Sequence, residues 1–272
     1  MQIKYTSLGL LIYAAMALHL AAAVILLLAR GGRRRPMRWA GMVVYGAAAA
    51  VMVFAFVERW AEVDHVPLQN MFEVFLTLGM LMFPITLFCR YVLGVGGEAL
   101  DPLIALVIIF PAAFVFSADP QKLPPALQSW LFIPHVATYM LAYVIMAKAA
   151  VPAFLVILGW PPSDEPGLVP WDMAAARTVS LGFPLLTLGL VLGAVWGKLA
   201  WGDYWNWDPK ELWSLVSWLV YLGYYHVRYL YGRRYPRVSA SLALAGFVAI
   251  VITLLWVNLG RIFSGGLHSY AS

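Results

Sequence analysis

Apolar runs of about twenty residues, separated by short polar stretches, dominate this chain. A membrane-spanning helix needs roughly 20 consecutive apolar residues. Eight segments fit that pattern, at about residues 7–29, 38–57, 70–92, 100–117, 131–158, 178–199, 210–230 and 238–262. The pattern predicts an all-α fold, a polytopic transmembrane helix bundle of about eight spans, forming a single transmembrane domain over 1–272. No internal repeat, soluble domain or phosphate-binding glycine loop interrupts it.

Composition strengthens this reading. Hydrophobic residues make up 63% of the 272 positions and charged residues only 11%, against about 25% charged in soluble domains. That much apolar surface needs lipid to cover it. The 12 Trp and 14 Tyr suit membrane–water interfaces. The net charge of +5 lies beside apolar runs, where it sets topology, and implies no nucleic-acid partner. The single cysteine, Cys89, excludes an internal disulfide framework, a CxxC pair and a cysteine metal cage. Five histidines remain as metal-ligand candidates.

Charge placement predicts orientation. Only Lys4 precedes the first apolar run, while Arg30, Arg33, Arg34, Arg35 and Arg38 follow it. This is the reverse of a cleaved signal, so the run reads as a retained helix with its N-terminus outside. Inner segments then carry those five arginines with Arg90, Arg177, Arg228, Arg233, Arg234 and Arg237. Outer segments carry Lys4, Arg59, Lys122, Lys198, Lys210 and Arg261. The positive-inside rule favours both termini outside. The outer face then receives loop 58–69 with His65, loop 118–130 leading to His135, loop 200–209, and tail 263–272 with His268.

The candidate chemistry centres on WGKLAWGDYWNWDPKELW, which holds Trp196, Trp201, Gly202, Tyr204, Trp205, Trp207 and Trp213. A flat apolar macrocycle needs broad aromatic walls, and tryptophan supplies them. An interfacial belt explains two or three such residues and explains five around one short loop poorly. Asp208, Pro209 and Glu211 have the pattern of a helix start, with N-cap, first-turn proline and capping-box acid. Lys210 lies between them. A ligand contact by Asp208 or Glu211 is compatible with capping. Asn70 and Glu73 repeat the cap spacing at the third helix.

His135 and His268 fall on the same predicted face as the tryptophan loop. Two histidines converging on an aromatic platform have the pattern of axial ligation to a haem iron, and Gly265 and Gly266 give the tail freedom to fold over. The alternative role of each is a polar anchor, and His65 stays open between the two. His19 and His226 lie within spans, where ionisable residues are functional candidates. At 1.5 Å per residue they sit roughly 18 and 22 Å below the outer face. They suit a second bis-histidine site, a pairing of one with a partner protein's histidine, or hydrogen bonding to neighbouring tyrosines.

WGDYWNWDPKELW resembles the tryptophan-rich WWD signature of haem-handling membrane proteins. Its continuation to YYHVR is similar to the CcsA (ResC) branch of system II cytochrome c biogenesis, as are VPLQNMFEVF, LQSWLFIPHVATYMLAY and VNLGRIFSGGLHSY. The resemblance runs from about residue 60 to the C-terminus. It implies a cytochrome c synthase formed with CcsB (ResB), which carries or receives haem b and presents it outside. There the haem is joined to the CxxCH cysteines of apocytochrome c. It implies His135 and His268 as outer axial ligands, the 200–209 loop as the porphyrin platform, and His226 as a transmembrane ligand paired with a CcsB histidine. Pairing of His226 with His19 rests on depth alone. Thiol-reducing proteins of the outer compartment are further expected partners. The expected membrane is the bacterial cytoplasmic membrane with a periplasmic or extracellular active face, or the thylakoid membrane in a plastid.

Other readings are CcmC-type delivery of haem to a chaperone, a bis-histidine electron-transfer membrane protein, and, more weakly, a solute transporter. Lys198, Lys210, Arg59 and Arg261 are the candidate cations for haem propionates, each with an alternative role as a snorkelling interfacial charge.

Overall fold

The computed structural model describes residues 6–29, 35–162 and 165–256. Among them are eight α-helices: α1 (Ser7–Leu28), α2 (Arg35–Val63), α3 (Met71–Tyr91), α4 (Asp101–Phe114), α5 (Phe132–Ile157), α6 (Trp171–Trp201), α7 (Pro209–Tyr231) and α8 (Pro236–Val251). Each predicted span has its helix. Six helices are long and apolar enough to cross a membrane, α8 counting with its continuation to Leu255. The protein is thus an all-helical, polytopic membrane protein. α4 has only 14 residues, about 21 Å at 1.5 Å per residue. α7 has 23 residues but is more polar, carrying Lys210, Glu211, His226 and Arg228.

Two predicted boundaries move outward by six residues or more. α2 runs six residues beyond the expected end at 57, and α6 begins seven residues before the expected start at 178. Both extensions are polar, and ion pairs make them helical. Asp172, in the first turn of α6, binds Arg228 at 2.7 Å and Arg233 at 3.0 Å. Arg59, in the last turns of α2, is enclosed by carboxylates described below. Hydropathy alone assigns such turns to loops.

The helices gather into two compact units. In the first, α1 packs on α2 and α4, and α3 packs on the same two helices. Its centre is more polar than a lipid-facing bundle requires: His19, Tyr45, Thr86 and Asp101 are all fully buried with Ile12, Met52 and Met82. In the second unit, α5 packs on α6 and α8, and α7 on α8. Its core is built from small residues (Ala142, Ala149, Ala153, Ala175, Ala240, Ala243) with Tyr221 and Tyr224 between them. Small side chains allow close backbone approach, the usual route to tight helix packing in lipid. Residues 93–96 belong to this second unit. They are tied there by Lys148 Nζ to the Gly96 carbonyl (2.9 Å), Arg177 to the Leu93 carbonyl (2.6 Å) and Val169 N–H to the Gly94 carbonyl (2.9 Å). Lys148 therefore resides within a span with its ammonium hydrogen-bonded.

Candidate functional site

The tryptophan segment lies within the second unit. Trp196 and Trp201 are in the last turns of α6. The helix stops at Gly202, whose φ of +92° gives a left-handed cap, with its N–H on the Lys198 carbonyl at 3.1 Å. The Lys198 ammonium caps the Gly202 carbonyl and sits over the Tyr204 ring at 5.6 Å. The chain then turns back on α6: a Cβ at Gly197 would come within 3.3 Å of the Asp203 carbonyl.

Residues 203–208 form a short irregular link that ends in the expected cap. Asp208 precedes α7, its carboxylate accepts from Lys210 N–H at 2.9 Å, and Glu211 completes the capping box by accepting from Asp208 N–H at 3.2 Å. Glu211 also accepts from Asn206 N–H at 2.8 Å. Pro209 occupies the first turn, where its missing N–H costs nothing. The acids therefore brace the loop that carries the aromatics.

The aromatics divide by burial. Trp196 is buried and donates its indole N–H to the Ala126 carbonyl at 3.1 Å. Trp201 meets it edge-on at 4.9 Å. Tyr204 and Trp207 are 60% and 67% exposed, far more than a packing role needs. Trp205 and Trp207 contact each other edge to face at 6.0 Å. Trp207 holds a φ of +58°, a conformation rare for bulky side chains. Trp213 follows in the first turns of α7, half-buried.

His135 joins this group. It lies in the first turn of α5, its ring stacked on Trp196 at 5.5 Å and 27°, with Tyr139 edge-on at 5.1 Å. Its Nδ1 is 3.0 Å from the Gly189 carbonyl. A carbonyl only accepts, so Nδ1 carries the proton and the lone pair is on Nε2. Metal-ligating histidines are held in this way by a hydrogen bond to the other nitrogen. His226 is similarly set, Nδ1 to the Leu222 carbonyl at 2.9 Å, and is exposed on α7. His19 bonds the Ala15 carbonyl at 2.7 Å, but is fully buried against Tyr45 (5.5 Å) with its Nε2 unpartnered.

His65 differs. Its two ring nitrogens face the Val66 and Gln121 carbonyls at 3.1 and 3.3 Å, so it bridges two loops of the first unit. Asn70 and Glu73 form a capping box, and Glu73 also accepts Arg59 at 2.9 and 3.0 Å with both residues buried. Arg59 is thus committed to Glu73, Glu62 and the Ala118 carbonyl. This corrects the expectation that it is available to propionates. His268 and Arg261 lie outside the described residues.

Known proteins share this architecture. A model of the cytochrome c assembly protein family covers residues 8–264. The chain belongs to that family. Its relatives within it include the cytochrome c biogenesis protein CcsA of Guillardia theta, 36% identical over 243 residues that cover 78% of this chain and 79% of that one. The CcsA of Chlamydomonas reinhardtii is 32% identical over 241 residues (84% and 67%). That of Trieres chinensis is 34% identical over 267 residues (82% and 83%). Among solved structures, the cytochrome c haem lyase CcmF shares the fold with a TM-score of 0.66 at 18% identity. The match covers 98% of this chain and 50% of that one, so the chain spans half of its length.

In this cytochrome c assembly protein, Gly189 is a site contact that the sequence did not reveal. Its contribution is a backbone carbonyl, which leaves no trace in residue type. The signal that was present, a glycine every few residues along one face of α6, reads equally as helix packing.

Proposed function

We propose that this chain is the CcsA-type subunit of a system II cytochrome c synthase, working with CcsB. It receives haem b as its substrate, and conveys it where it enters from the inner side. It then presents the haem at the outer face for attachment to the CxxCH cysteines of apocytochrome c. The observation that carries the reading is His135: a histidine with its Nε2 lone pair set by tautomer, stacked on Trp196, beside a braced loop that leaves Trp207 and Tyr204 exposed. Family membership and the CcsA relatives support the same reading.

In the reaction each cysteine S–H adds across one haem vinyl group. A C–S bond forms at one vinyl carbon and the hydrogen goes to the other. Nothing leaves, and no oxidant or reductant is consumed. The chain needs no nucleophile of its own, and Cys89 is buried in α3. Its task is positioning, which converts a slow encounter into a near-unimolecular step. His135 Nε2 takes one axial position on the iron and His268 the other. Trp207 and Tyr204 offer faces to the porphyrin, and Lys198 offers a cation to a propionate. The CxxCH histidine replaces one axial ligand as the product forms. His226, exposed on α7 with its Nδ1 bonded to the Leu222 carbonyl, serves a second, intramembrane position with a histidine of CcsB.

The test is the optical spectrum of the complex purified with CcsB, compared with a His135→Ala/His268→Ala variant. Bound b-type haem in the wild type and a loss or spin-state change in the variant are expected. An identical spectrum in both excludes the outer ligands. Co-expression with CcsB and an apocytochrome alone is expected to give holocytochrome, and failure to do so favours delivery to a chaperone instead.

A further inference from the structure

We infer that Gly189, Gly193 and Trp196 of α6 form an imidazole slot that positions the His135 ring, with Gly193 as the residue that opens it. The inference rests on His135 being an axial ligand of the haem. The spacing of these three residues, four and then three, places them on one face of an α-helix. Each meets a different part of the ring. The Gly189 carbonyl accepts the Nδ1 proton at 3.0 Å. The Trp196 indole stacks on the ring plane at 5.5 Å. At Gly193, a Cβ would lie 2.6 Å from Cε1, 3.1 Å from Nδ1 and 3.5 Å from Nε2.

The closest approach is to the ring carbon between the two nitrogens. This is the rigid body of the imidazole and has no flexible end to swing aside. Any side chain at 193 therefore drives the ring off both the carbonyl and the indole. The result is a changed direction for Nε2, not a general loosening of the helix pair. Positioning within about half an ångström is what ligand sites demand of their supporting residues. Gly182 supplies the contrast: on the same α6, its Cβ would meet Ile145 and Met146 of α5 at 3.0 Å, touching no imidazole.

The experiment uses the full chain purified with CcsB and loaded with haem. It reads the ratio of low-spin to high-spin iron by absorption, with free imidazole as the probe. His135→Gly removes the ring and is expected to lose the low-spin signal, with imidazole restoring it. His135→Gly/Gly193→Ala contains no histidine side chain to clash, so it folds like the single variant. It is expected to need about ten-fold more imidazole or more, a difference of one decade in affinity. His135→Gly/Gly182→Ala is expected to be rescued like the single variant.

Equal rescue with and without Gly193→Ala overturns the slot, as does no rescue of His135→Gly. An unchanged spectrum in His135→Gly itself overturns the ligand assignment, a separate failure. In the otherwise wild-type chain, Gly193→Ala is expected to shift iron toward high spin, and Gly182→Ala is not.

Discussion

Arg59 and Glu73 form an ion pair at 2.9 Å with side-chain exposures of 0% and 1%, joining the end of α2 to the start of α3. The same glutamate closes the α3 capping box, so one carboxylate neutralises a buried guanidinium and satisfies helix-end N–H groups. Breaking a buried pair by removing one partner costs about 3–5 kcal/mol. Glu73→Gln is expected to lose an amount in that range, read as a lower unfolding midpoint in detergent. Glu73→Gln/Arg59→Met is expected to lose less than Glu73→Gln alone. A double variant at least as unstable would show that the pair is not what holds this corner.

Asp208 separates capping from ligand contact. Asparagine caps a helix about as well as aspartate, whereas alanine costs about 1 kcal/mol. Asp208→Ala is therefore expected to lower stability and haem content together, and Asp208→Asn to keep both near wild type. A loss of haem in Asp208→Asn with stability retained would assign the carboxylate charge to the substrate itself.

Trp207 combines 67% exposure with a φ of +58°. Glycine occupies that backbone region without a steric cost, though its greater unfolded-state freedom offsets part of the gain. Trp207→Gly is expected to change stability by less than about 1 kcal/mol by the same reasoning. Haem retained through gel filtration is expected to fall. Trp196→Ala, at a buried position, is expected to cost about 3–5 kcal/mol by loss of core packing. Retained haem in Trp207→Gly would remove the exposed indole from the platform.

His19 and His226 are expected to part ways. His19 is fully buried with an unpartnered Nε2, an arrangement that costs about 1–3 kcal/mol. His19→Phe removes the unpartnered atom but adds a larger ring to a packed core, so the two effects oppose each other and stability is expected to change by less than about 2 kcal/mol, leaving haem content unchanged. His226→Ala, at an exposed position, is expected to stay within about 0.5 kcal/mol of wild type while lowering the haem content of the complex with CcsB. Loss of haem in His19→Phe would favour the alternative pairing of His19 with His226.

Much of this protein was legible in its sequence because lipid imposes a simple demand. A span must be long, apolar and helical, so eight runs predicted eight helices, and the largest outward shifts of the limits came from polar extensions stabilised by Asp172 and Arg59. Cap chemistry is equally local: Asp208 with Glu211, and Asn70 with Glu73, are determined within four residues. The WWD resemblance likewise needed only contiguous residues. The tertiary structure decided which groups are committed. A hydropathy pattern treats Arg59 and Lys198 alike, since both border apolar runs, yet one is sealed by the Glu73 carboxylate at the start of the next helix and the other stays at the surface. It decided the states of the histidines too, because a tautomer depends on which atom faces the ring, and here that atom is a backbone carbonyl with no residue-type signature. For His135 the partners are Gly189, Gly193 and Trp196, far along the chain, and only the packing of α5 on α6 brings them to the imidazole.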